Sequence, residues 1–159
     1  MKVYFASDHA GFELKKMLIE HVKVMQYEVE DCGAYELDPD DDYPAFIAKA
    51  AEAIATDPDS RAILIGGSGE GEAIVANRFK NVRAVVFYGG GREQMDASGK
   101  SLDIIASSRM HNNANALSLG SRFLGQEEAI AAVERWLTLP FPGEERHVRR
   151  IAKFDHVTD

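Results

Sequence analysis

The chain alternates short apolar runs with longer amphipathic segments, and this alternation limits the possible folds more than any other feature. Strands that alternate with helices are typical of βαβ units around a parallel sheet. The sequence therefore predicts a three-layer, Rossmann-like α/β fold with a central, mainly parallel sheet of five strands. The predicted strands are residues 3–6, 27–31, 62–65, 82–87 and 116–119.

The helices are predicted from apolar spacing and from proline placement. Leu14, Leu18 and Val22 recur every four residues, which places one stripe of a helix on the sheet. Pro44 suits the first turn of the next helix, where its missing N–H would be unpaired anyway. The stretch 89–100 is expected to be a loop or lid. The predicted helices are 11–26, 44–55, 72–78, 102–109 and 127–137.

Length and charge bound the function classes. The 159 residues fit a single domain, 1–159, in which 140–159 is expected to be a C-terminal tail packing on the body or on a partner subunit. The net charge of -8 argues against nucleic acid, since affinity for phosphate backbones comes mainly from clustered Lys and Arg. No apolar run approaches the ~18 residues of a membrane span. We expect a cytoplasmic protein that binds neither nucleic acid nor a membrane.

Common cofactor and metal motifs do not fit the sequence. Cys32 is the only cysteine, which excludes an intrachain disulfide and a Cys-x-x-Cys pair. The glycine-rich stretch 66–71 follows the third strand and lacks the Gly-x-Gly-x-x-Gly spacing of dinucleotide sites. Gly99-Lys100-Ser101 resembles the end of a P-loop, but Gln94 stands where that motif needs glycine. No metal and no cofactor are expected.

The stretch Gly66-Gly67-Ser68-Gly69-Glu70-Gly71-Glu72 is the first candidate site. Ligands of open parallel sheets bind beyond the carboxyl ends of the strands, and converging backbone N–H groups there stabilise negative charge. Glu72 has two interpretations: a first-turn residue favoured by the helix dipole, or a general base beside an anion hole. The two are geometrically compatible. Glu70 is expected to face solvent.

Two further polar clusters are expected at strand ends. Asp8 and His9 follow the first strand, where Asp8 also suits a helix N-cap. His111 and Asn112 end the helix before the fifth strand. In the tail, Arg146 and Arg150 are four residues apart, so they share a face if the tail is helical; alone they would be a solvated charge run.

Taken together, these residues resemble the ribose-5-phosphate isomerase B / galactose-6-phosphate isomerase family over nearly the whole chain. The order and spacing of the motifs are specific, above all the Ser-Asp-His-Ala-Gly start with the late His-Asn pair. The matching segments are Ser7 to Lys15, Asp42-Tyr43-Pro44, Gly67 to Gly71, Ala76-Asn77-Arg78, His111 to Asn115, Leu119 to Arg122 and Arg146 to Arg150.

The resemblance implies a metal-free aldose–ketose isomerase of phosphorylated sugars that works through a cis-enediolate. By similarity, Glu72 moves a proton between C2 and C1, while Ser68 and the N–H groups of Gly67, Gly69 and Gly71 hold the enediolate oxygen. The other implied roles are ring opening by Asp8 and His111, phosphate binding by His9, Arg122, Arg146 and Arg150, and contacts of Tyr43 and Asn112 with sugar hydroxyls.

Family members build this site between subunits, so the resemblance implies a homodimer or homotetramer with the site at the interface. His111, Asn112 and Arg122 are candidates for acting on a partner's loop. Many members carry a cysteine base at the position of Gly66, whereas this chain resembles the subgroup that uses a carboxylate, here Glu72. The segment 89–100 is about ten residues longer than usual for the family, and long loops often shape specificity.

The substrate stays open at this point. Interconversion of ribose 5-phosphate and ribulose 5-phosphate is the first expectation. The alternatives are the same chemistry on a hexose 6-phosphate, such as galactose or allose 6-phosphate, or on a tetrose phosphate. A non-catalytic sugar-phosphate-binding protein is the alternative from another class, although a binder would need neither Glu72 nor His111.

Overall fold

The computed structural model describes residues 1–90, 92–95, 99 and 101–156, and its strands confirm the predicted parallel sheet. Within these residues five strands form the sheet and two short ones form a separate antiparallel pair. The sheet order is β2-β1-β3-β7-β4, and all its neighbours are parallel. In chain order the strands are β1 (Lys2–Ser7), β2 (Glu28–Asp31), β3 (Arg61–Gly66), β4 (Ala84–Phe87), β5 (Gln94–Met95), β6 (Ser101–Leu102) and β7 (Ala116–Gly120).

Helices cover both faces of the sheet. They are α1 (Phe12–Val24), α2 (Tyr43–Thr56), α3 (Glu70–Ala76), α4 (Ile104–Asn112), α5 (Gln126–Thr138) and α6 (Glu145–Ile151), with 3-10 turns at His9–Gly11 and Phe154–His156. Two predictions need correction. The expected loop 89–100 contains β5, which pairs with β6. The expected helix 102–109 begins only after Asp103, whose carboxylate caps it, and it continues to Asn112.

The core lies on both faces of the sheet. Ile63 and Leu117 point towards α1 and α5, where Trp136 is fully buried. Leu64 points to the opposite face, against Ile47 of α2. Because both faces are covered, β3 is apolar along nearly its whole length, as is usual in parallel sheets.

The sheet topology creates a crevice between β1 and β3. The chain leaves β1 towards β2 on one side and leaves β3 towards β7 and β4 on the other, which makes this pair the switch point where ligands bind in open α/β sheets. A Cβ at Gly11 would lie 2.6 Å from the carbonyl oxygen of Ile65, so the turn after β1 lies directly on the end of β3. The loops after both strands therefore line one site.

The C-terminal residues fold back on the same chain. Helix α6 packs against α4, and the Asp155 carboxylate accepts the backbone N–H of Asn81 at 3.3 Å. Within the described ranges, every helix is too short or too polar to cross a lipid bilayer.

Candidate active site

The glycine loop after β3 is held by its carbonyl groups. Backbone N–H groups of the 121–122 turn donate to the carbonyls of Gly66 and Gly67 at 2.9 and 3.1 Å, and the Ser118 hydroxyl donates to the Gly69 carbonyl at 2.6 Å. Gly69 has a φ of +79°, which favours glycine. The N–H groups of residues 67–69 donate to no acceptor within the described part of the chain. Such a row of free N–H groups can stabilise an anion.

Glu72 lies in the first turn of α3 and its side chain turns back under this loop. The residue is 4% exposed, and its carboxylate occupies the space that a side chain at Gly66 would need. Burial, together with the negative charge of Asp8, raises the pKa of Glu72, while its own backbone N–H opposes this. A buried carboxylate with a raised pKa beside unused N–H donors suits a general base. Glu70 is exposed, as predicted.

Asp8 and His9 enter the same crevice from β1. The Asp8 carboxylate accepts the Ala10 N–H at 3.0 Å and caps the 3-10 turn. His9 contacts Asp41, which lies on the loop before α2: one oxygen of Asp41 accepts the His9 backbone N–H at 3.1 Å and lies 2.7 Å from its ring Nδ1. The Asp8 carboxylate lies 4.0 Å from the same Nδ1 without a hydrogen bond to it. The three side chains are close enough together to hold a metal ion, but Nδ1 of His9 is already hydrogen-bonded to Asp41.

Tyr43 and Arg122 close the crevice. The Tyr43 hydroxyl lies 2.5 Å from the place where a Cβ on Gly71 would stand, and the Arg122 guanidinium lies 3.2 Å from the equivalent point on Gly67. Arg122 therefore belongs beside the loop of its own chain. We call the group at this end of the sheet the carboxyl-edge cluster: Asp8, His9, Asp41, Tyr43, Gly66, Gly67, Ser68, Gly69, Gly71, Glu72 and Arg122.

The third predicted cluster lies at the other edge, which corrects the expectation that all three meet at strand carboxyl ends. Helix α4 runs back across the sheet, so its last turn adjoins the beginnings of β4 and β7. Arg83, just before β4, donates from Nε to the carbonyl of Asn113 at 2.8 Å. The parallel pairing of β3 with β7 puts Glu72 at the far end of these strands.

Helix α6 adds its side chains to this second group. The rings of His111 and His147 stack with centroids 4.4 Å apart and an interplanar angle of 13°. His147 is buried, and burial with the positive charge of its neighbours lowers its pKa. Arg146 and Arg150 both lie on this helix, so the condition under which they share a face is met. We call this group the amino-edge cluster: His111, Asn112, Arg146, His147 and Arg150.

Sequence reasoning missed three of these features. In the sequence Asp41 is one of four aspartates within residues 38–42, and His147 lies among the arginines of residues 146–150, so neither stands out from its neighbours. Lys15 is completely buried and donates to the Asp31 carboxylate and the Ala34 carbonyl, both at 2.6 Å. Its position three residues before the buried Leu18 was the available signal. Burial also raises the pKa of the Cys32 thiol to about 11, which disfavours the reactive thiolate.

The chain is similar to known proteins over nearly its whole length. A family model described as Ribose/Galactose Isomerase matches residues 3–154. The chain is 42% identical over 151 residues to ribose-5-phosphate isomerase B of Mycobacterium tuberculosis, which covers 95% of this chain and 86% of that protein. The corresponding Escherichia coli protein is 35% identical over 150 residues, covering 94% and 91%.

Solved structures agree with the sequence matches. Ribose-5-phosphate isomerase B of Mycoplasma genitalium, solved with bound ribulose-5-phosphate, superposes with a TM-score of 0.84 at 37% identity and covers 97% of this chain and 93% of that one. The Thermotoga maritima enzyme superposes with a TM-score of 0.82 at 36% identity, with 98% of each chain covered. The predicted three-layer fold and the predicted family resemblance are both confirmed.

Proposed function

Because the chain belongs to the ribose/galactose isomerase family, we propose that it interconverts ribose 5-phosphate and ribulose 5-phosphate by proton transfer through a cis-enediolate. One observation carries the proposal: the buried Glu72 carboxylate lies beneath a loop in which the N–H groups of residues 67–69 donate to no acceptor among the described residues. An enediolate needs a base to form it and donors to hold it. A protein that only binds sugar phosphate would need neither.

The carboxyl-edge cluster supplies the isomerisation step. Glu72 removes the proton from C2 of the open-chain aldose and returns it to C1, while the hydroxyl proton passes from O2 to O1. The negative charge that develops on the sugar oxygens is held by the Ser68 hydroxyl and the loop N–H groups, which are fixed before the reaction begins. Tyr43, against Gly71, contacts a sugar hydroxyl. Asp8, beside Glu72, assists the opening of the ring.

We propose that a second copy of the chain completes the site, in a homodimer or homotetramer. Within one chain the two clusters are separated by the five residues of β7, about 16 Å, which is longer than a pentose phosphate. A two-fold interface brings the amino-edge cluster of each copy onto the carboxyl-edge cluster of the other. His111 then assists ring opening, Asn112 contacts a hydroxyl, and Arg146 and Arg150 join His9 and Arg122 on the phosphate.

The segment 89–100 is the proposed determinant of sugar length. Tyr88, immediately before it, lies 3.0 Å from the Cβ position of Gly120, which itself abuts the Ser68 carbonyl. The segment thus starts beside the loop that holds the sugar; residues 91, 96–98 and 100 lie outside the described residues. Deleting it is expected to change the preference among pentose, hexose and tetrose phosphates. An unchanged preference would remove this role.

The cytoplasmic location stays a prediction of the sequence.

Solvent deuterium exchange tests the proposed chemistry. The wild-type protein is expected to incorporate deuterium from D2O into ribose 5-phosphate and ribulose 5-phosphate, and Glu72→Gln to lose about 10²–10⁴-fold of this rate. The matched control is Glu70→Gln, an exposed carboxylate two residues away, which should exchange like the wild type. Exchange that survives in Glu72→Gln would exclude Glu72 as the base. Absence of exchange in the wild type would leave a binding protein.

A further inference from the structure

We propose that Asp41 is a positioning residue that holds the His9 ring as an oriented cation for the substrate phosphate. This inference rests on the proposed function, and Asp41 lies outside the segments that carry the family resemblance. Asp41 and His9 are 32 positions apart in the chain, and only the fold brings them together.

The hydrogen-bond geometry fixes the orientation of the ring. A single oxygen of Asp41 accepts from both the backbone N–H and the ring Nδ1 of His9, so the ring cannot turn about its side-chain bonds without losing a contact. The Asp41 side chain is only 7% exposed, whereas that of His9 is 32% exposed. With Nδ1 held by the protein, Nε2 is the nitrogen that remains for a ligand.

Charge determines what Nε2 can do. In the neutral ring that donates from Nδ1, Nε2 is an acceptor and would repel a phosphate oxygen; in the imidazolium it is a donor. The second Asp41 oxygen is buried and accepts no hydrogen bond from the described residues, so its charge is balanced mainly by His9. Buried carboxylates are tolerated when a cation pairs with them.

The other charges around His9 act in both directions. The Asp8 carboxylate, 4.0 Å from Nδ1, favours the imidazolium, while Arg122 opposes it. The hydrogen bond with Asp41 has the largest effect, and the net result is a raised pKa of His9. In the proposed assembly, Arg146 and Arg150 of a second copy would add further positive charge. Asp41 then keeps His9 protonated in the presence of these arginines.

The test compares Asp41→Asn with Asp40→Asn as a function of pH. The asparagine oxygen can still accept both hydrogen bonds, so the substitution removes the charge and keeps the shape. We expect KM for ribose 5-phosphate to rise about tenfold at pH 8 relative to the wild type at the same pH. At pH 6 the ring regains its proton and the ratio should fall below about twofold. The kcat should change little, and the exposed Asp40→Asn should match the wild type throughout.

Two outcomes would overturn the proposal. One is a KM ratio that is the same at pH 6 and pH 8, which indicates a merely structural role for Asp41. The other is an additional KM effect of Asp41→Asn in a His9→Gln background, where no ring remains to be charged.

A direct titration separates this inference from the proposed function. The His9 ring resonance, assigned by its absence in His9→Gln, should titrate at lower pH in Asp41→Asn than in the wild type, with and without inorganic phosphate. This readout needs no turnover. If the protein isomerises nothing but shows the downward shift, the proposed function fails and the role of Asp41 stands. If the protein isomerises its substrate without the shift, the role of Asp41 fails and the proposed function stands.

Discussion

The carboxyl-edge and amino-edge clusters are built by different means. The first rests on the backbone: the register of β3 and β7 sets the glycine loop, and Glu72 fills a space that only the lack of a side chain at Gly66 leaves open. The second rests on side chains of two helices, joined by the stacked rings of His111 and His147. In the proposed mechanism the backbone-built cluster holds the groups that must not move when charge develops. In the proposed assembly the helix-built cluster holds the groups that come from another copy.

Subunit complementation tests most directly whether the two clusters, taken from different subunits, form one site. Glu72→Gln and His111→Ala should each lose activity about 10²–10⁴-fold, because each removes a proton-transfer group. Co-expressed, the two inactive chains should regain about one quarter of wild-type activity, since half of the dimers are mixed and each mixed dimer holds one intact site. Isomerase turnover of the purified mixture is the measurement.

The matched control combines two substitutions in the carboxyl-edge cluster. Glu72→Gln co-expressed with Asp8→Asn damages every site of every dimer, so this mixture should stay inactive. If the first mixture also stays inactive although mixed dimers form, the two clusters do not share a site across subunits.

A second prediction concerns the space beneath the glycine loop. Gly66→Ala introduces a Cβ that overlaps the Glu72 carboxylate and should lower kcat about 10²-fold by displacing the base. Gly125→Ala is the control, since a Cβ there meets nothing within 4 Å. Steady-state kinetics of both variants, with circular dichroism to confirm folding, decide the matter. A fully active Gly66→Ala would show that Glu72 need not occupy this position.

The sequence predicted the fold well because its pattern is local. Ile63 and Leu64 belong to a continuous apolar run, which a strand buried on both faces requires. The sequence did not predict features that depend on contacts between residues far apart in the chain, or on the direction in which a helix crosses the sheet. The partner of His9 lies 32 residues away, and the end of α4 was assigned to the wrong edge because a crossover helix returns the chain to the start of the next strand. Lys15 was overlooked because a charged residue seldom faces a core.

A smaller effect is expected in the amino-edge cluster. His147→Ala removes the ring that stacks on His111, so His111 can reorient and kcat should fall about tenfold. His147→Phe keeps a flat ring in the same place and should recover most of that loss. If phenylalanine and alanine are equally impaired, the imidazole nitrogens of His147 matter more than its stacking.

The smallest predicted effect is on stability. Since the folded protein raises the pKa of Glu72, the ionised carboxylate destabilises it, and this cost appears as pH rises from the ordinary glutamate pKa through the folded value. Glu72→Gln should therefore have a slightly higher Tm than the wild type at pH 7.5, and the difference should vanish near pH 4. Thermal unfolding at both pH values measures it; a lower Tm at pH 7.5 would contradict the prediction.

The shared space of Gly66 and Glu72 also restricts how such a sequence can evolve. A side chain at position 66 and the carboxylate from position 72 occupy the same volume, so a chain carrying a cysteine at 66 together with Glu72 is overfilled. A chain with neither has no base. If Glu72 is the base as proposed, exchanging this carboxylate for a thiolate at position 66 passes through an unfit intermediate whichever residue changes first, so we expect the two positions to be epistatic.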